Sequence, residues 1–194
     1  MSQLNKNQQL PDDEKLFNGA EINDENFKDF VDRLHKGVRG EHVKEHATAN
    51  ALFVVQRERH IIGINTDYTD NKCITDLEND ATYFSLESFV ESLDEDALSY
   101  FELNDYETPF LEMTESEQWD CLEQVDQLSI DGYSVEWEYV NCHFTKEAAE
   151  RFIERKRHDY GKLRVFVDSQ YWAWEFRTIV DAILDGKLVY NAEV

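Results

Sequence analysis

The sequence predicts an α+β fold: a small antiparallel or mixed sheet with about five helices and a C-terminal β-α-β-α unit. Three observations carry this. Apolar stripes at helical spacing and β-rich runs both recur, and neither dominates. Helix-capping residues stand just before the stripes. The 194 residues, 41% hydrophobic and 13% aromatic, suffice for one ordinary domain core.

The elements follow in chain order. Residues 1–20 are polar and without periodicity, a flexible leader before a single domain over 21–194. Asn23 or Asp24 caps a helix to about Lys36, with Phe27, Phe30, Val31 and Leu34 on one face and Gly37 and Gly40 ending it. ALFVVQR (51–57) and HIIGINT (60–66) read as two strands of a hairpin, although Glu58-Arg59 is poor turn chemistry. Ser85 starts a helix to about Ala97, its inward face Leu86, Phe89, Val90 and Leu93. Thr114-Glu115-Ser116-Glu117 fits a capping box before Trp119, Leu122 and Val125. Residues 133–144 alternate as a half-buried strand does, Thr145 caps the next helix, and LRVFV (163–167) is a strand. Asp168 or Ser169 caps the last helix, with the stripe Trp172, Phe176, Ile179, Val180, Ile183 and Leu184.

The charge is segregated. The chain carries 42 acidic and 19 basic residues, net −23. Residues 61–140 alone hold 22 acids and one base, Lys72. Such a balance opposes binding to nucleic acid or to an anionic membrane, since both are polyanions. No run of about eighteen apolar residues is present, so no bilayer span is predicted. Three cysteines outside any CxxC spacing, and a polar N-terminus, fit a reduced cytoplasmic protein.

An acidic helical segment at about 67–131 thus sits between strand-rich parts. Glu87, Glu91, Asp94 and Glu95 share one face of their predicted helix, followed by Asp96 and Glu102. Glu115, Glu117, Asp120 and Glu123 lie opposite the apolar stripe of the next helix. Like charges at i,i+4 cost a helix about 0.2–0.5 kcal/mol per pair. Folding alone would intersperse lysine or arginine. Carboxylates at i,i+4 stand roughly 6 Å apart along the axis, on the scale of phosphate spacing in a nucleic-acid strand. Such a surface can occupy a channel built for a polyanion, with Tyr100 and Tyr106 among the aromatic anchors beside Tyr83, Phe84, Phe101, Phe110 and Trp119.

Catalytic and metal motifs are weaker. His42-Val43-Lys44-Glu45-His46 spells the inverted zincin motif, two histidines for zinc and a glutamate as base. Nearby Gly37 and Gly40, and the β-type sequence just after, speak against the helix it needs. Asp76, Glu78, Asp80, Thr82, Phe84 and Glu87 echo calcium-loop offsets, but Ala81 stands where glycine is required. Cys142 and His143 adjoin, but a Cys/His nucleophile pair needs side chains that meet in space, and a buried structural cysteine is the commoner role. No phosphate-loop, dinucleotide or nucleophile-elbow motif occurs, so neither an enzyme nor a cofactor is expected. Arg151, Arg155, Lys156 and Arg157 form a basic cluster that suits a helix C-terminus or an acidic face, within the molecule or across a homodimer.

The stretches HATANALFVV (46–55), GINTDY (63–68), WEYVNCHFTKEAAERFIERKRHDY (137–160) and RVFVDSQYWAWEFRTIVDAIL (164–184) resemble a pattern of small accessory proteins of phages and prophages. The resemblance spans about half the chain, leaves out the acidic middle, and carries over no active site. By analogy with acidic anti-CRISPR and anti-restriction DNA mimics it implies an inhibitor of a host defence complex. The expected partner is a positively charged nucleic-acid-binding protein, such as a CRISPR effector or a restriction enzyme, rather than nucleic acid or membrane. The alternatives are an adaptor for a basic protein and, behind it, a zinc hydrolase through His42, Glu45 and His46.

Overall fold

The computed structural model describes residues 10–46, 48, 50–94 and 108–192. Among these the fold is α+β, as predicted: a five-stranded antiparallel sheet in the order β3-β2-β4-β1-β5, with five α-helices. The strands are β1 (Ala51–Ile64), β2 (Lys72–Asp76), β3 (Ala81–Tyr83), β4 (Leu128–His143) and β5 (Leu163–Ser169). The helices are α1 (Asp24–Val38), α2 (Leu86–Val90), α3 (Glu115–Leu122), α4 (Lys146–Tyr160) and α5 (Trp174–Leu184). The chain divides into two compact units, residues 1–58 with 137–194, and residues 59–136.

In the first unit, Phe53 and Val55 face Val167 and Val165 across the β1–β5 ladder. Alternation puts these side chains on one face of the sheet, where Ala149, Phe152 and Ile153 of α4 close over them. α4 begins where Thr145 Oγ1 accepts the Ala148 N–H, the cap read from the sequence. Asn23 likewise caps α1, its side chain accepting from Glu25 and Asn26 N–H while Asn26 Oδ1 accepts back from Asn23. Fully buried Asn26 also donates to the carbonyls of Glu14 and Glu21, tying the preceding segment to α1. Within that segment, 3-10 turns form at Asp12–Glu14 and Leu16–Asn18, and Lys15 is only 1% exposed. Its ammonium bridges Asp12 and Glu147, at 3.0 and 3.2 Å. The basic cluster on α4 serves the same anchorage: Arg151 reaches Asp12 at 3.3 Å and Arg155 donates to the Phe17 carbonyl. Lys156 instead pairs with Asp159 at 2.7 Å, and Arg157 is exposed.

Several local expectations are corrected. No hairpin turn falls at Glu58-Arg59, because β1 runs on to Ile64. Its charged residues find distant partners: Arg57 meets Glu138 of β4 at 2.6 Å, and Glu58 pairs with Lys162, just before β5, through both its side chain and its backbone N–H. β4 begins at Leu128, five residues before the predicted start, and passes through Gly132. A Cβ there would stand 2.6 Å from the Ile64 carbonyl oxygen, so glycine is what allows the strand through. α2 stops at Val90 rather than near Ala97; Ser92 Oγ donates to the Phe89 carbonyl just beyond its end. Asp168 and Ser169 belong to β5, paired with Leu52 and Ala51, and α5 starts at Trp174 behind Ala173. Trp172 therefore lies outside the helix, 75% exposed, instead of opening its buried stripe.

Candidate functional site: the acidic unit

Residues 59–136 fold around a core of their own. Ile74, Phe89, Phe110, Met113, Cys121, Leu122 and Val125 are its buried members, with Tyr83, Leu86, Trp119 and Ile130 packed against them. Burying one such side chain stabilises by about 1.5–3 kcal/mol. The apolar residues of α2 and α3 point into this cluster, and the carboxylates between them are left outside. The unit holds 21 acidic residues against two basic ones, Arg59 and Lys72. The rest of the chain, also with 21 acids, balances them with 17 bases. The charge boundary and the structural boundary coincide.

Of the predicted carboxylates, Glu87, Glu91, Asp94, Glu115, Glu117, Asp120 and Glu123 are all exposed. Glu95, Asp96, Glu102, Tyr100 and Tyr106, with Phe101, lie outside the described residues. Among the described residues the predicted row is cut short after Glu91. Glu87 and Glu91 keep their i,i+4 relation across α2, but the helix ends before Asp94.

Local electrostatics divides these groups in two. Glu87, Glu115 and Glu117 sit in first helical turns, where the positive end of the backbone dipole favours acid. Glu117 is further committed to the capping box: the Thr114 hydroxyl donates to its Oε2 at 2.7 Å and the Thr114 N–H at 2.8 Å. Those two donors hold its carboxyl below the usual glutamate range. Glu91 and Glu123 occupy the opposite ends, as C-caps of α2 and α3, where neither last turn carries a base. There the exposed carbonyls favour a cation. Lys72 stands 4.0 Å from Glu123 and 5.3 Å above the Trp119 ring. Glu91 is therefore the carboxylate that folding explains least, whereas Glu123 at the matching end of α3 has Lys72 beside it.

The predicted aromatic anchors fare less well. Phe110 is 1% exposed and belongs to the core. Phe84 stacks on His60, with ring centroids 3.9 Å apart, and Tyr83 packs edge-on against Phe89. The outward apolar side chains are ones the sequence reading passed over. Tyr68, 84% exposed, ends the 3-10 turn Thr66–Tyr68 between Asp67 and Asp70. Leu77 is exposed in the β2–β3 turn beside Asp76 and Glu78, and Leu111 is exposed next to Glu112. For Tyr68 and Leu77 the available signal was their place in a turn rather than on an apolar stripe.

That turn also replaces the calcium-loop reading. Asp76 Oδ1 accepts the Glu78 and Asn79 N–H groups and its Oδ2 accepts from the Asn79 amide, closing a hairpin. The Asn79 amide and the two N–H groups hold the Asp76 carboxyl low. The zincin residues, in the other unit, fall on a 3-10 turn, Glu41–Glu45, instead of an α-helix. His42 Nε2 is 4.0 Å from Glu45, while His46 Nδ1 is 2.6 Å from the Thr48 carbonyl. Among the described residues no group of three His, Cys, Asp or Glu is placed to hold a metal. Cys142 and His143 are consecutive in β4, so their side chains leave on opposite faces. Burial, and then Arg155, push the His143 imidazole below its ordinary pKa. Buried Cys73 donates to the Asp131 carbonyl, and burial pushes its thiol up. No helix among the described residues is long and apolar enough to cross a membrane.

The chain matches no protein-family model, no curated protein and no solved structure.

Proposed function

We propose that this protein is a non-enzymatic inhibitor that sets its acidic unit against the positively charged nucleic-acid-binding surface of a partner protein. It would compete there as a polyanion mimic. One observation carries the reading: an independently cored unit of net charge −19 keeps carboxylates even at helix C-termini, where folding favours lysine. A fixed acidic surface steers a basic partner by long-range attraction and repels nucleic acid itself. Tyr68, Leu77 and Leu111 supply the apolar area that charge lacks, which favours a protein target. The target class we favour is a host defence nucleoprotein complex such as a CRISPR effector or a restriction enzyme, on the strength of the phage-type resemblance.

The test pairs the wild-type chain with a variant carrying Glu91→Lys, Asp120→Lys and Glu123→Lys, each immobilised and exposed to bacterial lysate. The reading expects the wild type to retain a DNA-binding protein that the variant loses. Equal retention by both would remove these carboxylates from the interface. The second reading, an adaptor for a basic partner, draws on the same exposed apolar residues. It differs in one outcome, since an adaptor keeps its partner in the presence of excess duplex DNA.

A further inference from the structure

The two edges of the sheet differ. β3 is three residues long, whereas β5 at the opposite edge runs for seven, with neither proline nor glycine. A long edge is a template for a further strand unless lysines, proline or a bulge guard it. β5 instead carries one base and one acid, Arg164 and Asp168. At the two ends of its ladder with β1, the Glu58 N–H donates to the Lys162 carbonyl and the Gln170 N–H to the Asn50 carbonyl. The even-numbered residues of β5 therefore turn their backbone groups toward β1. Those of Leu163, Val165, Val167 and Ser169 point away from the sheet, and no backbone partner meets them among the described residues.

This strand is complementary to itself. Antiparallel pairing with β5 of a second copy, centred on Phe166, sets Arg164 opposite Asp168, Val165 opposite Val167 and Phe166 opposite Phe166. The outward backbone groups then meet as hydrogen-bonded pairs, Val165 with Val167 and Leu163 with Ser169. Arg164 with Asp168 becomes a non-hydrogen-bonded pair, in which side chains stand closest. Centring on Val167 instead would set Phe166 against Asp168. Centring on Val165 would set Asp168 against Lys162, which Glu58 already holds. Arg164 lies back over the sheet, its Cζ 3.9 Å from the Trp137 ring centre and its Nε donating to Gln56 Oε1 at 2.9 Å. The side chain is exposed, so it can turn to a carboxylate that arrives at the edge. Phe166 is 44% exposed, and the register brings exposed Tyr171 and Trp172, just past the strand, level with Gly161 and Tyr160 of the other copy. Exposed aromatic area of this kind marks a contact surface.

We propose that this chain forms a twofold dimer by antiparallel pairing of two β5 edges, centred on Phe166. The pairing closes at two copies, since each has one β5. Residues 163–169 lie outside the acidic unit, so the dimer stands or falls apart from the proposed inhibition. The test is sedimentation equilibrium of the full chain at about 150 mM salt, where the repulsion between two acidic copies is screened beyond roughly 8 Å. The mass should be twice the 22.9 kDa of one chain. Arg164→Asp and Asp168→Arg each place two like-charge pairs at the joint and should weaken association at least about tenfold, and the double exchange should restore it. A second measurement reads the register should a charge variant fail to fold. In a Cys142→Ser background, Phe166→Cys should crosslink to itself on mild oxidation, because its two Cα atoms, about 4.5 Å apart, suit a disulfide. Arg164→Cys, whose two copies stand four residues or roughly 13 Å apart, should not. A chain that stays monomeric up to about 100 µM would overturn the proposal. So would species larger than a dimer, a double exchange that fails to restore association, or crosslinking at 164 in place of 166.

Discussion

Replacing Glu91 by lysine should make the protein more stable and a poorer ligand for a basic partner. Glu91 caps the C-terminal end of α2 and lies four residues after Glu87 on the exposed side. A lysine there gains from the negative helix end, by about 0.3–1 kcal/mol for a surface group. It also exchanges an i,i+4 repulsion for an attraction, each worth about 0.2–0.5 kcal/mol. Because α2 is barely more than one turn, the lower ends apply, and the sum is about 0.5–1 kcal/mol. For a chain of this size that raises the thermal midpoint by about 1–4 °C. Far-UV circular dichroism melts and urea titrations of the two proteins measure it. On the binding side, association with the captured partner should slow and its salt dependence flatten, with dissociation little changed. A lowered midpoint would refute the electrostatic account of the helix ends. A raised midpoint with unaltered association would refute the use of this surface.

Three further predictions concern the scaffold. Leu122→Ala, at a fully buried core position of the acidic unit, should cost about 2–5 kcal/mol in urea unfolding; under 1 kcal/mol would deny that unit a packed core. Thr114→Ala should cost about 0.5–2 kcal/mol near neutral pH. Because Glu117 is held below its ordinary pKa in the folded state, its contribution is present above the usual glutamate range and lost as pH falls through the depressed value. The gap between wild type and Thr114→Ala should therefore narrow on acidification, and a gap constant with pH would contradict the Thr114–Glu117 pairing. Asn26→Asp removes both donors to the Glu14 and Glu21 carbonyls and turns carboxylate oxygens toward them. Limited proteolysis should then cut within residues 10–21 well before the rest, whereas wild-type protection there would show the tie to be dispensable.

Local rules made much of this fold legible. The caps at Asn23, Thr114 and Thr145 and the strand at 163–167 follow from side chains that bond their own backbone or alternate toward a core. What the sequence hid depends on distant partners. Glu58-Arg59 looks like a break until Lys162 lies alongside, and Gly132 looks like a terminator until Thr69 and Ile64 are seen to crowd it. Asp168 and Ser169 are good caps in isolation, yet pairing with β1 claims them for the sheet. The site shows the same division. Segregated charge could be read directly, but which carboxylates are spent on folding could not. Glu117 proved to be a cap, and Phe110 proved to be core, because both roles rest on geometry rather than residue type.

The most direct test of the polyanion account is displacement. The immobilised chain is loaded from bacterial lysate at about 50 mM salt and then washed with duplex DNA, or with about 200 mM salt, and the released proteins are identified. Elution of the same DNA-binding protein by both washes is the predicted result. A partner that resists duplex DNA and salt alike would contradict it.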